Sequence, residues 1–317
     1  MASAKNIIEV KDLVKKYKKS DKTAVNSISF TVKEGEFFAL LGPNGAGKTT
    51  TISILTTTLS KTSGSIQIGG YDLDTQSELV RQNIGVIFQN PSLDLNLTAE
   101  ENIRFHAILY GLYGFSPSYS MMPEDYKERV LNLAKILEID KDIFKPVKSF
   151  SGGMKRKLEI IRSLMHNPKV LFLDEPTSGL DPLSRKNLWK YLEKVRKENK
   201  TTIFLTTHYL EEAEQADNVL VVNTGKIIAS GSPKKIKDDL IQEYLLFKTD
   251  KPKQLEAELK KLKLKYEVGE YYKVDIEKRN AHQVIRSVST PLSDIKIHIP
   301  TLEDAYLEIL NRQNQAQ

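Results

Sequence analysis

Three short segments of this chain hold residue types at spacings suited to binding phosphate and activating water. The first is Gly42-Pro43-Asn44-Gly45-Ala46-Gly47-Lys48-Thr49, followed by Thr50. It fits GxxxxGK[ST] and sits between an apolar run, 37–41, and a segment able to start a helix. Its glycines let backbone N–H groups turn inward around phosphate oxygens, and a helix beginning near Lys48 adds its positive N-terminal end. Lys48 would reach the terminal phosphates of a nucleotide. The Thr49 hydroxyl would complete the shell of a Mg²⁺ otherwise held by water, phosphate and a carboxylate. The second segment is Val170-Leu171-Phe172-Leu173-Asp174-Glu175, an apolar strand ending in two adjacent acids. Ligands of a parallel sheet bind beyond the carboxyl ends of its strands, so both acids would reach the phosphate site. Asp174 would hold Mg²⁺ through water, and Glu175, on the other side of the alternating chain, would orient and deprotonate the attacking water. A buried strand with a polar end accounts for the same run in any α/β domain. The third segment, Phe150-Ser151-Gly152-Gly153-Met154-Lys155-Arg156-Lys157, opens a helix that runs toward His166 and stops at Asn167-Pro168. Ser151 suits the N-cap. Two glycines just inside a helix cost up to about 1 kcal/mol each against alanine, which points to a close backbone approach to a ligand.

In this order the phosphate loop, the Ser-Gly-Gly element and the double acid resemble the ATP-binding cassette (ABC) family, over roughly residues 5 to 235. The resemblance implies ATP and Mg²⁺ as cofactors and assigns further roles. Gln89 matches the glutamine that contacts Mg²⁺ and the attacking water. His208, after the apolar strand 202–206, matches the switch histidine at the γ-phosphate. Asp181, in Ser178-Gly179-Leu180-Asp181, matches the loop that crosses to another subunit, and Tyr17 the aromatic ring stacked on adenine. By the same resemblance Glu175, His208 and Gln89 form the catalytic set, and Thr49, Gln89 and Asp174 the metal set. ATP is preferred over GTP because no Asn-Lys-x-Asp element is present and Tyr17 would read a flat ring. In the family the ATP site is split, so Ser151, Gly152 and Gly153 would face ATP held by a second ATP-binding subunit. With one copy of each motif, the chain would work as a homodimer or pair with a similar chain.

The family's signature usually ends in glutamine. Here Met154 stands in that place and cannot supply the hydrogen bonds of an amide. Together with the basic run after it and the stretch 93–98, this resembles the exporter branch that handles drugs, lipids and polysaccharides. The function implied is ATP-driven dimer closure powering an integral-membrane permease. A soluble ABC ATPase of translation or DNA repair is the alternative. Those proteins join two cassettes or insert a long coiled coil or zinc modules before the signature, and the stretch between Gln89 and Ser151 is too short for such an arm.

These residues require an α/β core. Residues 5–41 read as an antiparallel β flank carrying Tyr17. Residues 99–162 read as a mostly helical signature subdomain, with helices at 99–112, 126–138 and after Gly152, and with partner contacts near 89–113. The runs 218–222 and 226–229 flank Asn223-Thr224-Gly225 as a hairpin. An ATP-binding domain of residues 1–240 is expected, followed by a small α+β domain of residues 241–317. From 244 onward the order is strand, helix, strand, strand, helix, strand, helix, which without the last helix is a ferredoxin-like arrangement. Such a domain would aid dimerisation, contact the membrane subunit or sense a ligand.

Composition narrows the class. The 317-residue chain has room for one large and one small domain. No apolar run approaches the roughly 18 residues that cross a bilayer, and residues 1–5 lead into a strand rather than an apolar signal core, so the expected place is the cytoplasm, at the inner face of the membrane through the permease. With no cysteine and five histidines without metal-ligand spacing, metal here means Mg²⁺ arriving with nucleotide. The net charge of +6 comes from dispersed lysines, without the aromatic-interleaved basic motif of nucleic-acid binders. It suits an anionic membrane surface, and no nucleic-acid partner is expected.

Overall fold

A computed structural model describes residues 5–18, 22–89, 92–178, 180–240, 244–276 and 280–315. Asn90, Gly179 and the expected domain start at 241–243 lie outside the described residues. The chain forms two compact units, Met1–Ser230 and Gly231–Gln317. In chain order the first unit contains β1 (Asn6–Lys16), β2 (Thr23–Lys33), β3 (Phe37–Leu41), α1 (Lys48–Leu55), β4 (Ser63–Ile68), β5 (Tyr71–Asp72), α2 (Ser77–Asn83) and β6 (Ile84–Ile87). It continues with α3 (Ala99–Leu109), α4 (Glu124–Ile136), α5 (Gly152–Leu164), β7 (Val170–Asp174), α6 (Pro182–Asn199), β8 (Thr202–Thr207), α7 (Leu210–Ala213), β9 (Asn218–Asn223) and β10 (Lys226–Gly231). The second unit contains α8 (Pro233–Leu240), β11 (Tyr244–Lys248), α9 (Pro252–Lys261), β12 (Tyr266–Val268), β13 (Tyr272–Asp275), α10 (Ala281–Ser287), β14 (Asp294–His298) and α11 (Leu302–Gln315).

The site-bearing sheet of the first unit has strand order β10-β9-β3-β8-β7-β6, and β9, β3, β8, β7 and β6 run parallel. Strands β3, β7 and β8 are buried at every residue, as expected where both faces of a parallel sheet are covered. Their register is marked by aromatic pairs: Phe204 lies opposite Phe38 on one side and Phe172 on the other. The Phe204 ring centroid is 5.2 Å from each of theirs, and Phe30 of β2 stacks on Phe38 at 5.5 Å. These rings join the parallel sheet to an antiparallel sheet of order β2-β1-β4-β5. The flank extends beyond the strands expected in residues 5–41. β4 and β5 complete it, from the alternating run Ser65-Ile66-Gln67-Ile68 whose isoleucines enter the core.

The helical segment follows its expected positions with shifted ends, α4 running from Glu124 to Ile136 rather than over the expected 126–138. Helix α3 starts on a capping box in which Thr98 and Glu101 exchange side-chain and backbone bonds, and it ends at Leu109 rather than 112. Inside it, Glu100 pairs with Arg104 at 3.0 Å and accepts from the Tyr126 hydroxyl of α4 at 3.0 Å, while Arg104 donates to the Ser116 carbonyl at 2.7 Å. A buried acid, a buried base and a buried phenol thereby satisfy one another and tie the loop after α3 to both helices.

In the second unit, β11, α9, β12, β13, α10 and β14 follow the expected order, and the sheet has order β12-β13-β11-β14 with every neighbour antiparallel. Leu245, Phe247 and Val274 of the sheet share one core with Leu255 and Leu259 of α9 and Val284 of α10. Helix α8 packs against α11, inside this unit. Glu258 of α9 clamps the turn after α10. One carboxylate oxygen accepts from the Ser289 amide at 2.7 Å and from its hydroxyl, and the other accepts from the Thr290 amide at 2.9 Å and its hydroxyl at 2.6 Å. The Ser289 hydroxyl, then the Thr290 hydroxyl, stabilise the ionised form and lower its pKa from 4.5 to about 2. A carboxylate so depressed contributes stability that is full above its unfolded pKa and is lost as pH falls through the folded one. Glu258→Gln is therefore expected to lower the thermal midpoint of the second unit at neutral pH. Calorimetry should find that difference shrinking between pH 4.5 and about 2.

Candidate functional site

The phosphate loop occupies the turn between β3 and α1, and two of its glycines are required by their surroundings. Gly47 is the N-cap of α1 at φ 103°, and a Cβ there would lie 2.4 Å from the Ala24 carbonyl oxygen. A Cβ on Gly42 would lie 2.3 Å from the Val222 carbonyl oxygen. No side chain caps α1, so its first-turn amides are presented to a ligand anion rather than to the protein. The Lys48 ammonium donates to the carbonyls of Gly42 at 2.8 Å and Pro43 at 3.2 Å, which places it across the loop's mouth. Burial lowers its pKa, while Glu175 and Asp174 oppose that shift. Thr49 is exposed beside it, and Asn44 and Gly45 form the exposed crown of the loop. Ala46 is buried, and its amide donates to the Pro43 carbonyl at 3.2 Å. Tyr17, just past β1, is 42% exposed with its hydroxyl 3.3 Å from that of Thr50, so the aromatic ring stands beside the start of α1.

The double acid ends β7 in line with the loop, because Asp174 is in register with Thr206 and Leu41 with Thr207. Asp174 accepts from the Thr206 hydroxyl. Burial raises its pKa, and the Thr206 hydrogen bond works in the other direction. Glu175 does not continue the strand's alternation as the sequence suggested. It sits at φ 46°, a left-handed conformation that costs a non-glycine residue of order 1–3 kcal/mol. Bonds on both sides of it hold that conformation: its amide donates to the Thr206 carbonyl at 3.0 Å, and its carbonyl accepts from the Ser178 amide at 3.2 Å. The turn re-aims the side chain. One carboxylate oxygen lies 3.8 Å from Lys48 Nζ and 3.1 Å from His208 Nδ1, and the other accepts from Gln89 Nε2 at 3.3 Å. Gln89, Glu175, His208 and Lys48, from four separate segments, thus meet around one carboxylate, with Asp174 buried behind.

The Ser-Gly-Gly element stands apart from that cluster. Ser151 is the N-cap of α5 and accepts from the Met154 amide at 3.2 Å, Gly152 faces open space, and a Cβ on Gly153 would lie 3.2 Å from Ser184 Oγ. Among the described residues none of the three is bonded to the phosphate loop of its own chain. Asp181 caps α6 beside it, accepting from the amides of Leu183 and Ser184 at 3.0 Å each and from the Ser184 hydroxyl. These contacts, the Ser184 hydroxyl first, lower its pKa.

Two groups that build the site were not singled out from sequence. Arg156, read as part of a basic run, is buried and donates to the carbonyls of Pro176 at 2.8 Å and Phe88 at 2.6 Å, with Glu159 as its ion partner at 2.9 Å. It therefore ties the signature helix to the segments carrying Glu175 and Gln89. Its signal lies in spacing: Arg156 falls on the stripe of α5 that also buries Glu159, Ile160 and Ser163, whereas Lys155 and Lys157 do not. The second group is the threonine set Thr177, Thr206 and Thr207, fully buried at the ends of β7 and β8, which β-propensity alone explains in a sequence.

A glycine cradle at a helix N-terminus, a lysine across it, a paired aspartate and glutamate at the adjacent strand end and a detached Ser-Gly-Gly cap define a phosphate-loop nucleoside triphosphatase cassette. The ABC transporter family profile matches residues 25–178. The chain is 35% identical over 315 residues to the Nod factor export ATP-binding protein I of Burkholderia orbicola, covering 97% of this chain and 98% of that protein. It is 39% identical over 231 residues to the probable multidrug ABC transporter ATP-binding protein YbhF of Escherichia coli, covering 73% of this chain and 38% of that longer protein. A dimeric post-hydrolysis ATP-binding cassette bound to ADP and Pi superposes with a TM-score of 0.63 at 27% identity, over 71% of this chain and 98% of the other. The chain belongs to the ABC transporter family as an ATP-binding, ATP-hydrolysing cassette. Such cassettes pair as dimers and work with membrane permease components, which sets aside the alternative of a soluble ATPase in translation or DNA repair. Among the described residues no helix is long and apolar enough to cross a membrane.

Gly47→Ala is expected to strain α1's start by about 1–3 kcal/mol and to weaken ATP binding on the order of tenfold or more. Titration of the folded variant with a fluorescent ATP analogue checks this, against a Gly114→Ala control whose added Cβ meets open space.

Proposed function

We propose that this chain is the energy-supplying subunit of a membrane exporter, in which Glu175 activates water for ATP hydrolysis while His208 and Gln89 hold its carboxylate in place. The observation that carries this reading is the strained backbone of Glu175, held at φ 46° so that one carboxylate faces Lys48, His208 and Gln89 together. The amides of the loop from Gly42 to Thr50 would bind the phosphates, with Lys48 neutralising charge that builds on the terminal phosphoryl oxygens. Tyr17 would stack on adenine. The donor set fits Mg²⁺: the Thr49 hydroxyl, the Gln89 amide oxygen and the Asp174 carboxylate are hard oxygen ligands, and among the described residues no cluster of three or more His, Asp or Glu would select a softer metal. Bound with nucleotide, Mg²⁺ would neutralise phosphate charge. Glu175 would then take a proton from the water, and His208, 3.1 Å from it, would position that carboxylate against the γ-phosphate.

Ser151, Gly152 and Gly153 are proposed to complete the ATP site of a second copy or similar chain, with Asp181 near the crossing point. The exposed start of α5, capped only by Ser151 Oγ, supports this. For the permease, the groove between the parallel sheet and α3 is the proposed dock. It has a volume of about 450 Å³ and is lined by Arg81, Val86, Phe88, His106, Tyr110 and Arg162, and among the described residues His106 Nε2 and Arg162 Nε are buried there without a hydrogen-bond partner. The net charge of +6 favours approach to an anionic leaflet at the inner face of the cell membrane, and no nucleic acid is required. Export direction rests on relatives named for multidrug and Nod factor export.

Two outcomes test this reading. Glu175→Gln should bind ATP as well as wild type, hydrolyse it slower by on the order of 10²–10⁴-fold, and elute as a dimer with ATP on size exclusion. Wild-type turnover would remove Glu175 from the chemistry. Arg162→Glu should keep the ATPase rate of the isolated subunit and lose copurification with an integral-membrane protein from detergent-solubilised membranes. Undiminished capture would move the dock elsewhere.

A further inference from the structure

The two segments that carry the hydrolytic groups are joined by a buried carboxylate that the mechanism above does not use. Glu212 of α7 is 5% exposed. One of its oxygens accepts from the Thr177 hydroxyl, two residues after Glu175, and the other accepts from the Thr207 hydroxyl at 2.6 Å, one residue before His208. Both threonines are completely buried. Each end of the bridge is itself tied down. Thr207 Oγ1 also accepts from the Tyr209 amide at 2.9 Å, which fixes the backbone around His208. The Thr177 carbonyl accepts from the Leu180 amide at 3.0 Å, and Arg185 Nε donates to the Leu180 carbonyl at 3.1 Å while its guanidinium sits 5.0 Å over the Tyr209 ring. The chain from Glu175 toward Asp181 and the chain around His208 are therefore held at one spacing by Glu212 and, at the rim, by Arg185.

Stability alone does not call for this arrangement. Burying a carboxylate is costly, and burial does raise the pKa of Glu212, with Thr177, then Thr207, opposing it. Two apolar side chains of similar volume would fill the same space without that cost. What a carboxylate adds is direction: two oxygens, each accepting from one loop, transmit a shift of either loop to the other. We propose that Glu212 is a positioning residue for ATP hydrolysis, setting the distance between the Glu175–Asp181 loop and His208 so that the γ-phosphate sensor and the loop facing the second subunit move together. This rests on the roles proposed above for Glu175 and His208.

The test compares full-length Glu212→Gln, Thr177→Val and the double variant, with Glu175→Gln as reference, by steady-state ATPase kinetics and equilibrium ATP binding. Each single variant should lose on the order of 10–10²-fold in kcat, as for a misplaced catalytic group, with ATP affinity within about threefold of wild type. The double variant should lose little more than the worse single, since both break one link. Wild-type kcat in both singles, or kcat losses that multiply in the double, would overturn the tie. If Glu212→Gln does not fold, Thr177→Val, nearly isosteric and lacking only the donor, decides alone: a kcat loss at unchanged affinity supports the tie and a wild-type kcat sinks it. A Glu175→Gln protein that turns over normally would sink the underlying reading as well. An inactive Glu175→Gln beside a fully active Thr177→Val would sink only the role of Glu212.

Discussion

Everything at the nucleotide site depends on the register of β3, β8 and β7. Three segments of the site meet the ends of these strands: the phosphate loop after Leu41, the acids at 174 and 175, and His208 after Thr207. A slip of one residue in either pairing would turn Asp174 away from the loop and reverse the face of every side chain in the strand. Backbone hydrogen bonding in a parallel sheet tolerates such slips, so side chains must choose. Here the choice is made by Phe172, Phe204 and Phe38 lying opposite one another in the ladder, with Phe30 stacked on Phe38 from the antiparallel sheet. Each fully buried ring contributes about 1.5–3 kcal/mol in burial, with about 0.5–1.5 kcal/mol more for a well-placed aromatic pair. A shifted register would forfeit several such contacts at once, far more than the strain it would relieve at Glu175.

That strain is affordable because it is surrounded. The φ of 46° at Glu175 is opposed by hydrogen bonds to Thr206 and Ser178, and Arg156 reaches from the signature helix to the next carbonyl, Pro176. Arg156 also reaches the Phe88 carbonyl, one residue before Gln89. A single buried guanidinium thus holds the two segments whose side chains meet at the Glu175 carboxylate, and it does so from α5, the helix that Ser151 caps. Arg156 lies in the second turn of α5, so the helix that begins at Ser151 is joined to the backbone beside Glu175 and Gln89 by hydrogen bonds from a charged donor.

The second unit is held by a different economy of forces. Its sheet core is small, with Phe247 set among the aliphatic Leu245, Leu255, Leu259 and Val274. The polar clamp at Glu258 closes the segment between α10 and β14, at Ser289 and Thr290, while Val288 and Leu292 on either side pack against that core. Charge-assisted hydrogen bonds to a carboxylate are stronger than neutral ones, so the polar pair of the turn is fixed alongside its apolar neighbours.

Sequence by itself determined the chemistry and the element types. GxxxxGK[ST] dictates a glycine loop before a helix, the run 170–175 a buried strand ending in acids, and the alternation after 244 a small α+β unit, because each is encoded in local spacing and conformational preference. Other features were not legible. The end of the helix after Thr98 is an exception: Gly111, just past the C-cap Tyr110, takes φ 69° and lets Leu112 donate to the Ala107 carbonyl at 3.0 Å, a glycine stop that the sequence does carry. Strand β4 exists as a strand because β1 offers it an edge, and β5 because β4 in turn offers one. Arg156 looks like its basic neighbours until α5 has a buried side. Only the tertiary structure decided the backbone turn of Glu175, the convergence of Gln89, Lys48 and His208 on it, and the bridge from Glu212 to two threonines. These contacts join residues far apart in the chain, and such contacts form only after strand register has placed their backbones, which no local pattern of residues can specify.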